Sequence, residues 1–263
     1  MSENHWLTIE RWWARLGPPQ RPSAEVIAAV RALLAGIDGP GLLLGVTPEY
    51  ADLLPEMTAI DRSRAMIDHI WPGDTDRRRA VQADWLAFEA PPGRFAAAVG
   101  DGSLNSISFP DQVSQLFARL APMLRPDGRV VIRVYATPAE GEDASDLPQA
   151  VLRRAVASIH SLKWRLAMAL VRDSGEANLA VTAIRDAFLT LFPDRARLAA
   201  ATGWSEADIA TIDMYENSRE VYCFPTRAQL LAVVPPAFRG ARFVDAGSYD
   251  LAAACPLLVM DRA

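Results

Sequence analysis

The sequence predicts a doubly wound α/β fold: an open, mostly parallel sheet of seven strands with a block of helices inserted after the fifth. Three observations carry this. Short apolar runs, "GLLLG" (41–45), "MTAID" (57–61), "AVQAD" (80–84), "FAAAVG" (95–100) and "GRVVIRVY" (128–135), alternate with helical patterns. Strands that are apolar throughout, joined by helices, belong to a parallel sheet covered on both faces. The alternation stops after Tyr135, gives way to helical pattern over residues 147–213, and returns in "ARFVDAG" (241–247) and "CPLLVMDR" (255–262).

The elements follow in order. Residues 4–16 and 23–36 read as amphipathic helices separated by the breaker "GPPQRP", with Ser23 placed to cap the second and Glu25 in its first turn. Between the strands, "PEYADLLP", "SRAMIDHIW" and "PDQVSQLFARLAPMLR" read as helices. The acidic stretch "PAEGEDASDLP" is a loop, and three or four helices follow it, the last opened by the capping sequence Ser205-Glu206-Ala207-Asp208. "TRAQLLAVVP" is a short helix capped by Thr226. The expected organisation is N-terminal helices over 1–38, an α/β domain over 39–136 and 223–263, and a helical cap over 137–222.

At 263 residues and 51% hydrophobic content the chain can bury one substantial core. A net charge of -5 argues against an electrostatic grip on nucleic acid or an anionic membrane. No basic segment followed by an apolar core opens the sequence, and no apolar run is long enough to span a bilayer. Cys223 and Cys255 lie far apart, and no His, Cys, Asp or Glu set has metal-ligand spacing. The expectation is a cytoplasmic protein without metal.

In open α/β sheets ligands bind beyond the carboxyl ends of the strands. The first strand delivers Gly45-Val46-Thr47-Pro48, where glycine permits a sharp turn and a close backbone approach. The second delivers Asp61, sixteen positions after Gly45, near the spacing at which an acid accepts hydrogen bonds from ribose hydroxyls. The third delivers Asp84 and Trp85, an acceptor beside an aromatic face suited to adenine. The fourth delivers Gly100-Asp101-Gly102 and a small polar loop. A pyrophosphate needs several glycines in the first turn. Thr47 stands where the second would be, and Glu49 would repel phosphate, so NAD, FAD and ATP are disfavoured.

Over residues 40–135 and 225–262 the chain resembles the class I S-adenosylmethionine-dependent methyltransferases. The resemblance rests on "LLLGVTPEY", "TAIDRSRAMI", "VQADWLAF", "AAAVGDGSLNSI" and "LAPMLRPDGRVVIRVY", and on a tail similar to that of small-molecule members. It implies a sixth and seventh strand forming a hairpin, with the seventh inserted antiparallel. It implies S-adenosylmethionine as cofactor, S-adenosylhomocysteine as product, and contacts from Gly45, Val46, Thr47 and Pro48. Asp61, Arg62, Ser63 and Met66 follow from the second motif, Asp84 and Trp85 from the third, and Gly100, Asp101, Gly102 and Leu104 from the fourth. Leu43 replaces the acid usual before the first glycine, so the loop is a variant cradle. The competing readings are a cofactor-binding regulator without activity, a nucleotide-dependent oxidoreductase on the same fold, and a methyltransferase acting on protein or RNA, which the acidic charge and an enclosing cap disfavour.

Methyl transfer is a displacement at an already activated carbon, and a base is needed only when the acceptor carries a proton. Candidates are His160, Lys163, Trp164 and Arg172 in the helical block. The simplest reading of these is a solvated helix face with a packing tryptophan. Tyr135, Tyr215, Glu216, Arg219 and Tyr222 face the cavity if the block is a cap, and the catalytic set is drawn from His160, Lys163, Tyr135 and Tyr222. Trp6, Trp12 and Trp13 read as packing residues, with closure over the cofactor as the alternative; Arg21 reads as a surface residue, with contact to a carboxylate as the alternative; and His69 reads as exposed. The alternative to a cap is that the helices form a homodimer surface.

Overall fold

The computed structural model describes residues 3–263; Met1 and Ser2, the start of the expected N-terminal helices, lie outside it. Helices α1 (Glu3–Trp12) and α2 (Ala24–Leu33) come first, and the Ser23 hydroxyl accepts the Val26 N–H as the cap of α2. Strands β1 (Pro40–Leu44) and β2 (Glu56–Asp61), helix α3 (Arg64–His69), strands β3 (Arg78–Gln82) and β4 (Phe95–Asp101), helix α4 (Asp111–Met123) and strand β5 (Leu124–Arg133) follow. Helices α5 (Leu147–Leu152) and α6 (Ile159–Ser174) open the insertion. Strand β6 (Asn178–Ala180), helices α7 (Val181–Leu191), α8 (Arg195–Thr202) and α9 (Glu206–Ile209), and strand β7 (Val221–Cys223) continue it. Helix α10 (Arg227–Ala232) and strands β8 (Phe238–Val244) and β9 (Leu257–Arg262) return to the sheet.

The sheet has seven strands in the order β3-β2-β1-β4-β5-β9-β8. β1 to β5 pair in parallel, and β9 is antiparallel to both β5 and β8. The expected terminal hairpin is present, its second strand lodged inside the first. Side chains alternate between the faces, as a pleated strand requires. Leu43, Ala59, Val99 and Val131 pack in one core with Val26 and Val30 of α2 and with Leu162 and Ile184 of the insertion. Leu42, Ile60, Ala98 and Ile132 pack in the other with Phe117 and Leu120 of α4 and Leu230 of α10.

Four expectations are corrected. "PEYADLLP" forms only a 3-10 turn, Pro48–Tyr50, because Tyr50, Ala51 and Leu54 are drawn into the core between two prolines. β3 starts two residues earlier than expected: as an edge strand it tolerates Arg78 and Arg79, and Asp84 falls in the loop beyond it. The insertion is not all helical. β6 and β7 form an antiparallel ribbon pairing Leu179 with Tyr222, too short for periodicity to reveal, and β7 runs across position 222. Among the described residues the insertion holds five α-helices rather than three or four, α9 being a single turn with Asp208 N–H on the Ser205 hydroxyl. Among the described residues no helix is long and apolar enough to cross a membrane.

Candidate functional site

The carboxyl ends of β1, β2 and β4 open into a cavity of about 340 Å³, closed opposite by α1, the turn after it and the insertion. Gly45, Val46 and Thr47 line it from the first loop, Asp61, Arg62 and Met66 from the second, Asp84 and Trp85 from the third, and Asp101 and Gly102 from the fourth. Gly45 has φ +98, a conformation that favours glycine, and donates its N–H to Ile60 O at 2.9 Å. A Cβ on it would stand 3.9 Å from Asp61 Oδ2 and 3.8 Å from the Trp85 ring.

Asp61 is buried, and its Oδ1 accepts the Ser63 N–H at 2.8 Å. Burial lifts its carboxyl to about 6, against the lowering pull of the Ser63 N–H and Arg62. Trp85 is fixed by its indole N–H on Ile60 O at 2.6 Å. Asp84 is exposed at the cavity edge and its Oδ1 caps the Leu86 N–H at 2.8 Å, the turn role that short acidic side chains perform.

Other predicted residues stand behind this wall. Pro48 opens the 3-10 turn, and the Ser63 hydroxyl caps α3 by accepting the Met66 N–H. Gly100 is bare because a Cβ there would collide with the Ser103 hydroxyl, and Leu104 is packed in the second core. Ser103 takes the lining position instead, with an Oγ that meets no partner among the described residues.

The reading of His160 and Lys163 as a solvated face is wrong: both are buried, and neither lines the cavity. Lys163 Nζ donates to Thr211 Oγ1 at 2.9 Å, and burial drives its amine well below the usual lysine range. His160 Nδ1 meets Gln20 Oε1 at 2.9 Å, and Gln20 Nε2 donates to the Tyr215 hydroxyl at 2.9 Å. Packing of α6 on the segment after α1, through Gln20, and on residues 210–215, through Thr211, explains both burials.

Tyr135 and Tyr222 do line the cavity. The Tyr135 hydroxyl is committed, donating to Pro19 O at 3.2 Å and accepting from Arg133 Nη2 at 3.3 Å. The Tyr222 hydroxyl lies 2.9 Å from His5 Nε2, whose ring Nδ1 lies 2.9 Å from the Ser218 hydroxyl. Burial lowers His5 to about 4 and raises the Tyr222 phenol well above its ordinary value, so both are neutral near pH 7.

Sequence reading missed Arg133, Asn105, His5 and Glu220. Arg133 is fully buried and grips Asp101, so the carboxylate expected to face a ligand is already held. The signal was a lone arginine inside the apolar run "VVIRVY". Arg21 is half-buried and takes the second of its two expected places, on a carboxylate: its Nε donates to Glu49 Oε1 at 3.0 Å and offsets the charge invoked against phosphate. Asn105 donates to Tyr135 O at 2.8 Å and Cys223 O at 2.6 Å, tying the fourth-strand loop to β5 and β7. His5 and Glu220 have no local signal, since only the fold brings α1 and the segment before β7 to the cavity. Glu220 is buried on the cavity wall, with Arg62 Nη2 3.8 Å from its carboxylate.

No protein-family model and no curated protein matches the sequence. Solved structures do match. A Rhodobacter sphaeroides protein described as a zinc-dependent alcohol dehydrogenase aligns at 15% identity over 99% of this chain and 97% of its own, TM-score 0.59. DhpI, in a complex with SAM and HEP, aligns at 14% identity over 98% and 94%, TM-score 0.57. The N-methyltransferase NodS of Bradyrhizobium japonicum, in complex with S-adenosyl-L-homocysteine, aligns at 13% over 98% of each chain, TM-score 0.53. The chain has the class I methyltransferase fold. The antiparallel β9 between β5 and β8 is the methyltransferase arrangement and departs from the strand order 3-2-1-4-5-6 of the dinucleotide-binding fold. Among the described residues no group of three or more His, Cys, Asp or Glu stands close enough to hold a metal ion.

Proposed function

We propose that the protein transfers a methyl group from S-adenosylmethionine to an oxygen, nitrogen or carbon atom of a small molecule. The observation that carries this is Asp61: a buried carboxylate at the end of the second strand, on the cavity wall, opposite a glycine whose missing side chain keeps the approach open. The residues fit the group. Ser63 N–H engages Oδ1 of Asp61 and leaves Oδ2 on the Gly45 side for ribose hydroxyls, while Ser103 Oγ is an unsatisfied polar atom on the same wall. Gly45 to Thr47 would hold the amino-acid portion, and Trp85 and Met66 the adenine. With Glu49 paired to Arg21, the case against a pyrophosphate rests on the strand order and on Thr47 in place of a glycine.

When bound, adenosylmethionine supplies a methyl carbon activated by a sulfonium. This chain's residues orient the acceptor and exclude water, the largest contribution open to such an enzyme. Residues 137–222 act as a cap that selects the acceptor: Trp164, Tyr215 and Tyr222 of this segment wall the cavity opposite the strand ends. If the acceptor carries a proton, Tyr222 and His5 are the pair to receive it. In the tautomer with its proton on Nδ1, His5 Nε2 accepts from the Tyr222 hydroxyl, which leaves the lone pairs of the phenol oxygen free. A homodimer surface made by the same helices would leave these side chains without a role.

Calorimetric titration tests the reading. Adenosylmethionine and adenosylhomocysteine are expected to bind and NAD is not. Binding of NAD alone overturns the proposal in favour of an oxidoreductase. Nucleotide binding with no turnover of any methyl acceptor favours the regulator.

A further inference from the structure

The insertion brings an acid of its own to the cavity wall. Glu220 and Tyr222 are buried and line the cavity, while Val221 between them is exposed, the alternation of an extended segment. The backbone at Glu220 is fixed: its N–H donates to Ser218 Oγ at 3.1 Å and its carbonyl accepts the Val181 N–H at 3.0 Å. On one side its carboxylate stands 3.8 Å from Arg62 Nη2, and Arg62 follows Asp61, the acid offered to the ribose. On the other it acts on Tyr222, whose phenol is raised first by burial and then by Tyr215 and Glu220. Glu220 thus lies between the Asp61 side of the wall and the aromatic corner where Trp164 and Tyr222 meet at 6.0 Å. Those are the two ends that a methyl transfer must connect.

The charges of this wall do not balance. Asp101 is matched by Arg133. Asp84 and Arg219 are both exposed at the rim, opposite in sign and screened by water. Among the described residues this leaves two buried carboxylates, Asp61 and Glu220, against one half-buried guanidinium, Arg62. Arg62 serves both acids: burial lowers its pKa, and Glu220, Asp84 and Asp61 hold it up. Above about pH 6, where Asp61 is ionised, the inner wall carries one negative charge in surplus. A partly buried negative surplus favours a ligand that brings a positive charge, since Coulomb attraction is strong where water is excluded.

We infer that Glu220 sets the specificity of the pocket for the charge of its cofactor, making it prefer the sulfonium form over the thioether product. The inference rests on the methyltransferase reading. In the transfer, the bond between sulfur and the methyl carbon breaks with its electron pair left on sulfur, and a bond forms from an electron pair of the acceptor. The positive charge leaves sulfur with the methyl group, and a proton carried by the acceptor passes to a base such as the Tyr222 and His5 pair. Attraction to Glu220 is therefore present before transfer and absent after it, which favours exchange of the spent cofactor for a fresh one. The same surplus repels a pyrophosphate.

Calorimetric titration of the full chain at pH 8 tests this, with adenosylmethionine, adenosylhomocysteine and sinefungin, which carries an ammonium group where the sulfonium would be. The two cationic ligands are expected to bind about tenfold or more tightly than adenosylhomocysteine, the order for one unit charge several Å away in a partly buried site. Glu220→Gln keeps the shape and removes the charge. It should weaken both cationic ligands by about threefold to tenfold and leave adenosylhomocysteine within about twofold. Glu220→Ala, which makes room for water beside Arg62, serves if the first variant does not fold. Adenosylhomocysteine binding as tightly as adenosylmethionine to the wild type overturns the inference whatever the variants do. So does an equal loss for all three ligands in a folded variant, which would make Glu220 a structural support. Binding of all three without preference removes this inference alone, whereas failure of all three to bind sinks the methyltransferase reading with it.

Discussion

Arg133 and Asp101 form a two-pronged ion pair sealed from water. Arg133 Nη2 lies 3.0 Å from Asp101 Oδ2, Nε contacts Oδ1, and the two side chains are 0% and 3% exposed. The guanidinium also donates to the Tyr249 hydroxyl at 3.0 Å and to that of Tyr135, which in turn holds Pro19 O. Burial alone would lower the Arg133 pKa; the Asp101 carboxylate reverses this and keeps the guanidinium charged. The pair therefore joins β4, β5, the segment after α1 and the loop before β9 at one point on the cavity wall.

Removing one partner strands the other. Asp101→Ala should destabilise the protein by about 3–5 kcal/mol, because an unpaired buried guanidinium remains. The double variant Asp101→Ala/Arg133→Met should recover much of that loss. Urea unfolding of the three proteins checks it, and a double variant less stable than the single one contradicts the stranded-charge explanation.

Asp61→Asn should weaken adenosylhomocysteine binding by about 1.5–3 kcal/mol, the range for hydrogen bonds to a charged acceptor. The wild type should show a related pH effect. With its carboxyl at about 6, Asp61 takes up a proton as pH falls through that value and loses acceptor capacity. Affinity should decline below about pH 6 and stay flat above it, and the Asp61→Asn variant should show no such decline. Calorimetry at several pH values on both proteins reads this directly.

The sheet was legible because its strands are short, apolar and separated by helix signals that agree with the burial found. So were the positions of Gly45, Asp61, Trp85 and Gly102, since strand-end register is a local property. Arg133, Asn105 and His5 were not legible as a group. Their roles come from pairings between segments distant in the chain, such as Asn105 with Cys223 and His5 with Tyr222. Lys163 was misread for a related reason: charge suggests solvent, but the helix it lies on packs on every side, so its amine is buried against Thr211.

Gly102 tests how tightly the wall is built. It has φ +66, and a Cβ there would meet the Tyr135 ring at 2.7 Å. Gly175, with φ +73, has open space in the same direction. Gly175→Ala should lose only the left-handed backbone term, about 1–2 kcal/mol. Gly102→Ala should lose that and about 1–3 kcal/mol more, because Tyr135 is held by Arg133 and Pro19 and cannot give way. Equal losses in urea unfolding would mean that Tyr135 moves freely.

The buried histidines set the last expectation. Burial lowers His5 to about 4, and burial with the nearby Lys163 lowers His160 to about 4, against 6.5 for an ordinary histidine. Between those values the unfolded chain binds a proton at each site that the native protein does not. Stability is then fully present above about pH 6.5 and falls as pH drops toward 4, by on the order of 1 kcal/mol per pH unit for each histidine. Asp61 works the other way: its raised carboxyl binds a proton in the native state first, between about 6 and 3.8, and offsets part of the loss. Because Asp61 titrates over the same range, the net decline is close to that of one histidine and is steepest at about pH 5.5–6. His160→Gln, which can keep a hydrogen bond to Gln20, should remove its share of the slope while leaving stability at pH 8 less affected than stability differences at pH 5. Urea midpoints at pH 5, 6, 7 and 8 for the wild type and this variant provide the measurement. Parallel pH profiles for the two proteins would show that His160 is protonated in the native state and that its burial against Gln20 is not maintained in solution.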